Sequence, residues 1–136
     1  MRSPGTPSRT TVRLRGDRGQ AAIEFTGMVP VVLATMVLLW QAALVGYTFS
    51  LAGNAADEAA RAGAVARADQ GAACQRAGRA HLPEAWRGAS EFDCPPSGGD
   101  LFTATVSLRV PVLFPGSVNL PFSVDGSASA VNEAAR

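Results

Sequence analysis

From Phe25 to Ala56 the chain carries no charged residue. Val31, Val32, Leu33, Met36, Val37, Leu38, Leu39, Leu44 and Val45 make that run apolar on every face of a helix, a pattern found in buried helices and membrane spans. About 20 residues suffice to cross a bilayer, so a spanning segment is predicted from about Met28 to Leu51. Trp40 falls centrally in it, and Tyr47 and Phe49 suit its outer boundary. Pro30 removes one backbone donor; it is read either as a kink near Thr26 or as a proline tolerated in the first turns. Beyond the run, Asn54 to Ala68 is rich in alanine, with Asp57, Glu58 and Arg61 at helical pair spacings. The helix is therefore expected to continue into the low 70s as one rod.

The pattern then changes period. Pro95-Pro-Ser-Gly-Gly-Asp100 reads as a turn or loop. In Leu101 to Val112, Phe102, Ala104, Val106, Leu108, Val110 and Val112 alternate with Thr103, Thr105, Ser107 and Arg109, a strand with one buried face. Pro111 suggests an edge position or the strand's exit. Pro121 to Val131 alternates again, with Phe122, Val124, Ala128 and Ala130 on one side. A hairpin of these two strands over the extramembrane helix gives an α+β class: a long N-terminal helix, transmembrane then amphipathic, followed by a small antiparallel β unit. The organisation expected is a basic leader over 1–19, a transmembrane and extended helix over 20–72, and a small extracytoplasmic β domain over 73–136.

Charge gives this plan a direction. Residues 1–19 hold five arginines against Asp17, whereas the remainder holds seven arginines against ten acids. Basic residues beside a span stay cytoplasmic, so the C-terminal domain is expected outside. An acidic mature region argues against nucleic-acid binding. Cys74 and Cys94, the two cysteines, then lie on an oxidising side. A bridge between them would close a loop holding Pro83, Trp86 and Phe92, and is preferred to free thiols. No metal is expected, since two cysteines and the single His81 fall short of the four ligands of structural zinc. No cofactor is expected either, and without a nucleophile–base set or a phosphate-cradling glycine loop the chain is not read as an enzyme.

The junction of leader and helix carries the most information. It reads Gly19-Gln-Ala-Ala-Ile-Glu-Phe25, with Glu24 the one acid at the mouth of the apolar run. A carboxylate there is costly unless something outside the helix uses it, though an acid in a first helical turn also gains about 0.3–1 kcal/mol from the helix dipole. The glycine leaves an accessible backbone for a protease.

Gly-x-x-x-x-Glu-Phe before an apolar helix resembles the type IV prepilin cleavage signal in its short Flp-pilus form. The longer stretch Ala-Ile-Glu-Phe-Thr-Gly-Met-Val-Pro-Val-Val-Leu, followed by Asn54-Ala-Ala-Asp-Glu-Ala-Ala-Arg-Ala-Gly, resembles the TadE-like minor pilins of tight-adherence pili. The resemblance covers about Arg15 to Ala68, with a weaker echo in Ser127-Ala-Ser-Ala-Val-Asn-Glu. It implies a pilin-like build and a minor pilin or pilus-assembly pseudopilin, cut by a prepilin peptidase between Gly19 and Gln20. It also implies assembly through Glu24 and Phe25, with the freed α-amino group of Gln20 as the partner of Glu24. The partners implied are that peptidase, the major Flp-type pilin, a second minor pilin, the inner-membrane assembly platform and membrane lipid. The location implied is a bacterial cell membrane, crossed once, with the pilus fibre as a further destination.

Ala42, Gly46 and Ser50 recur every fourth residue, a small-residue stripe that lets another helix approach closely in lipid; alanine's helix propensity is the plain alternative, but it does not account for the glycine. Two other readings stand beside the pilin. One is an uncleaved single-pass protein with an envelope or secretion role. The other is a secreted protein with an ordinary signal peptide, for which Ala62-Gly-Ala64 lies too far along the chain.

Overall fold

The computed structural model describes Met1 and residues 16–133, without the side chains of residues 16–18, 20 and 21. Of the basic leader, Arg2, Arg9, Arg13 and Arg15 lie outside the described residues, as does the side chain of Arg18. The class is α+β: a long apolar helix followed by a three-stranded antiparallel sheet. The chain divides into two compact units, Met1–Met36 and Val37–Arg136.

In the first unit the described structure is helical, the start of α1 (Gly16–Val65). The helix runs through Pro30 without a break in its assignment. Its large apolar side chains are exposed, among them Ile23, Phe25, Met28, Val31 and Leu33. Thr26 and Thr35 donate their hydroxyls to the carbonyls of Ala22 and Val31, at 2.8 and 2.9 Å. Their polar atoms are thus spent within the helix, as an apolar surrounding requires.

The second unit holds the rest of α1, then α2 (Gln70–Ala80), α3 (Glu84–Arg87), β1 (Ser90–Asp93), β2 (Leu101–Pro111) and β3 (Asn119–Val131). The sheet order is β1-β2-β3 with both pairs antiparallel. The inward residues of β2, from Phe102 to Val110, are buried as alternation predicts. They meet a run of alanines on α1: Ala52, Ala55, Ala56, Ala59, Ala60 and Ala64 are all at most 1% exposed. Small helix residues bring the sheet close. At Gly126 of β3 a Cβ would stand 2.5 Å from the backbone carbon of Ala52, so strand and helix touch backbone to backbone. At Gly63 a Cβ would stand 2.2 Å from the ring of Phe102.

Four expectations are corrected. The helix does not run as one rod into the low 70s. It ends at Val65, where Ala66 N–H turns back to the carbonyl of Gly63 at 3.3 Å. Asp69 then caps α2 by accepting from Ala72 N–H at 2.9 Å, which satisfies an orphan donor of its first turn. Second, the sheet has a third strand, β1, within the loop between the two cysteines; it pairs Ser90–Asp93 with Leu108–Thr105. Third, Phe122 is exposed, not on the buried face with Val124. The register slips between Arg109, which faces Ser123, and Pro111, which faces Asn119. Leu120, Pro121 and Phe122 therefore oppose Val110 alone, a bulge that breaks the alternation where Pro121 has no N–H to give. Fourth, of the two pairs expected of Arg61, the one with Glu58 forms, at 3.6 Å, and the one with Asp57 does not; it is the one ion pair among the described residues and an exposed one of little weight.

Cys74 and Cys94 are bridged, with Cα atoms 6.3 Å apart and a sequence separation of 20. The bridge ties α2 to the end of β1. Within the closed loop Leu82 and Trp86 are buried against Ala52, Ala55 and Ala56. Asn132 closes the other side. It accepts from Gln70 Nε2 at 2.9 Å, donates to Ser97 Oγ at 2.6 Å and to the Gly99 carbonyl at 3.1 Å, and its backbone N–H reaches the Asp100 carbonyl at 2.7 Å.

Candidate assembly segment

The N-terminal half of α1 displays the residues singled out in the sequence. Gly19 is exposed, and a Cβ added there would meet nothing within 4 Å. The side chain of Gln20 lies outside the described residues. Glu24 is exposed and has no ion-pair partner among the described residues, and Phe25 beside it is 71% exposed. An accessible glycine, an exposed carboxylate and an exposed aromatic ring follow one another along the helix, with no other described element packed on them.

Further along, within the second unit, helical rotation separates two faces. Leu44 and Thr48 are buried, whereas Ala42, Gly46 and Ser50 are exposed. Thr48 donates to the Leu44 carbonyl at 2.7 Å and accepts from Trp86 Nε1 at 3.3 Å, while the ring of Tyr47 stands edge-on to Trp86 with centroids 5.5 Å apart. The helix face carrying Leu44 and Thr48 is thereby committed to the domain. The stripe Ala42–Gly46–Ser50 is exposed, and among the described residues nothing lies within 4 Å of a Cβ added at Gly46.

Sequence reasoning missed a second contact. Trp40 Nε1 donates to the carbonyl of Leu113. Gln41 Nε2 donates to the carbonyl of Pro111 at 3.0 Å, and its Oε1 accepts from the N–H of Leu113 at 3.1 Å. The turn between β2 and β3 is thus pinned to α1. Leu113 has a φ of 59°, a conformation that costs a branched residue energy and persists only where its surroundings fix it. Both of its backbone polar groups are held by α1. The available signal was Gln41 itself, a lone amide in an otherwise apolar run. The packing also bears on the expected Met28–Leu51 span: Gln41, Leu44 and Thr48, all inside it, are engaged by the folded domain.

Among the described residues, no group of three or more histidine, cysteine or acidic side chains could hold a metal. His81 is exposed, its Nδ1 3.1 Å from the Ala77 carbonyl at the end of α2.

The family model described as TadE-like protein matches residues 19–61. That stretch of the chain is TadE-like. The match begins at the exposed Gly19, takes in Glu24, Phe25 and the Ala42–Gly46–Ser50 stripe, and ends at Arg61 in the buried alanine run. No curated protein and no solved structure matches the chain. α1 is long and apolar enough to cross a membrane.

Proposed function

We propose that the protein is a non-catalytic minor pilin or pilus-assembly pseudopilin of a Tad-type pilus, cut by a prepilin peptidase between Gly19 and Gln20. The observation that carries this reading is the TadE-like match starting at Gly19, on a helix whose glycine, carboxylate and Phe25 are all exposed. The arginine-rich leader stays in the cytoplasm and the disulfide-bonded domain lies outside, by the bias of basic residues to the inner side. The spanning segment is Ala22 to about Gln41, because the helix beyond Gln41 is engaged by the domain. Twenty helical residues rise about 30 Å, the thickness of the hydrocarbon layer.

After cleavage Glu24 is near the new N-terminus and, in the low dielectric of the membrane edge, requires a cationic partner. The α-amino group of Gln20 on a neighbouring subunit supplies one. Major and minor pilins and the assembly platform are the partners of such a subunit, and the exposed stripe Ala42–Gly46–Ser50 is where another helix would pack.

Intact-mass measurement of protein extracted from membranes tests the processing step. A mature form beginning at Gln20 is expected, with Gly19→Val left uncut because a β-branched side chain obstructs the peptidase's approach to the backbone. Wild-type protein still carrying Arg2 to Arg18 would move the reading to an uncleaved single-pass protein. Assembly is tested at Glu24. Glu24→Ala is expected to insert and be cut normally yet to be lost from material co-purified with the major pilin; unchanged co-purification would reduce Glu24 to an ordinary helix-start acid.

A further inference from the structure

We infer that the turn joining β2 and β3, Val112–Val118, is a second membrane contact of this protein, lodged in the interfacial layer of the bilayer beside Trp40. The inference rests on the reading of α1 as the membrane span and adds a part of the outer domain to the membrane surface.

Depth is the first argument. The turn is fixed to α1 at Trp40 and Gln41, the end of the apolar stretch that begins after Glu24. Wherever that stretch leaves the hydrocarbon, the turn leaves with it. Gln41 is also satisfied by this contact at both ends of its amide, which removes the cost of a polar group at that depth.

The second argument is composition. No charge occurs from Val110 to Val124. Leu113, Phe114, Val118 and Phe122 are 38, 68, 71 and 50% exposed, an apolar surface left open by the rest of the described domain. Turns facing water are built of polar and small residues, as the domain's other long turn is, Pro95 to Asp100. At about 3.3 Å of strand per residue, Arg109 stands roughly 13 Å back from Leu113. That clears the depth of roughly 5–10 Å at which interfacial segments sit.

The third argument is the state of the backbone. A segment entering an apolar layer must satisfy its own N–H groups. Val112 N–H donates to the Val118 carbonyl and Phe114 N–H to the Val112 carbonyl, both at 2.6 Å, and Ser117 N–H donates to the Phe114 carbonyl at 3.3 Å. Leu113 N–H goes to Gln41, and Pro115 has none. The hydroxyl of Ser117 turns inward as well, 3.0 Å from the Val112 carbonyl and 2.7 Å from that of Phe114. Apolar side chains thus point outward from a turn whose polar atoms are largely consumed within it, which is the arrangement a lipid surround selects and water does not.

The test uses the full chain, disulfide intact, reconstituted in vesicles of phosphatidylethanolamine and phosphatidylglycerol. The photoreactive p-benzoylphenylalanine replaces Phe114, Leu38 or Glu91 in turn. Lipid adducts are expected at Phe114 and Leu38 and not at Glu91, which is on the sheet's outer face. Adducts at Leu38 with none at Phe114 would overturn the inference and leave the span standing; none at either would overturn both. Protein–protein adducts at Phe114 in place of lipid ones would assign the turn to a second copy of the chain and overturn the lipid contact. In a second variant, Phe114→Asp is combined with the probe at Val118. Loss of the lipid adduct with the Cys74–Cys94 bridge retained is expected, and an undiminished adduct would show that the apolar turn is not what holds this region in the membrane.

Discussion

Two stretches of α1 solve different packing problems with different side chains. Over Ile23–Trp40 the helix carries leucine, valine, methionine and aromatic residues, and they are exposed. Over Ala52–Ala64 it carries mainly alanine and glycine, and one face of it is buried. Large apolar side chains suit a helix whose surround is fluid hydrocarbon, since lipid tails conform to any outline. A helix under a sheet meets a fixed surface, and there the distance of approach decides how much is buried. Alanines on the helix and Gly126 on the strand let the two backbones touch, so that the volume between them is filled by Phe102, Val106 and Leu108 of β2. The hydrophobicity of the two stretches therefore says less than their side-chain volume does.

The contrast breaks most sharply at Phe102, the largest fully buried side chain. Phe102→Ala is expected to destabilise the outer domain by about 3–5 kcal/mol, the usual cost of emptying an aromatic site in a core. Leu33→Ala, an equally drastic truncation on the exposed stretch, is expected to stay within about 0.5 kcal/mol in the same assay. Urea unfolding in detergent, followed by the fluorescence of the buried Trp86, measures both. Equal effects would mean that the two stretches are not energetically distinct.

The bridge comes next. Cys74 and Cys94 enclose most of α2, α3 and β1, a segment whose large buried side chains are Leu82 and Trp86. Cys74→Ser is expected to lower stability by about 3 kcal/mol on the loop-entropy estimate, while membrane extraction of the protein is unchanged. Retention of wild-type stability would show that the alanine face of α1 suffices to hold the sheet.

What could be read from the sequence followed from strong periodicity. The apolar run, the alternation of β2 and the pairing of the last two strands rest on patterns extending over ten residues or so, and the two cysteines had only each other. What escaped was short or long-range. β1 is Ser-Glu-Phe-Asp with one apolar residue, too little for alternation to register. The break after Val65 lies among alanines and arginines that favour helix, and only Asp69, a good cap, marks the restart. Phe122 kept the right parity in sequence and lost it to the bulge at Pro121. The docking of Leu113 on Trp40 and Gln41 joins residues more than seventy apart, which no local pattern encodes. At the assembly segment, the sequence pointed to Gly19, Glu24 and Phe25, and the structure leaves all three exposed.

Two glycines on α1 offer the finest division between the stretches. Each weakens the helix by about 1 kcal/mol relative to alanine, because glycine loses more backbone freedom on folding. At Gly46 an added Cβ meets nothing, so Gly46→Ala is expected to stabilise the protein by about that amount. At Gly63 the same methyl would stand 2.2 Å from Cε1 of Phe102, and a buried ring held by Ala60, Ala64 and the sheet has nowhere to retreat. The clash outweighs the propensity gain, and Gly63→Ala is expected to destabilise by about 1–3 kcal/mol. The opposite signs are the measurement, made by urea unfolding of both variants under one condition. Gly46 then poses a functional question that Gly63 does not. If Gly46→Ala raises stability yet reduces co-purification with the major pilin, the glycine is kept for the close approach of another helix along Ala42, Gly46 and Ser50. If co-purification is unchanged, no helix packs on that exposed stripe and assembly depends on the end of the helix that carries Glu24.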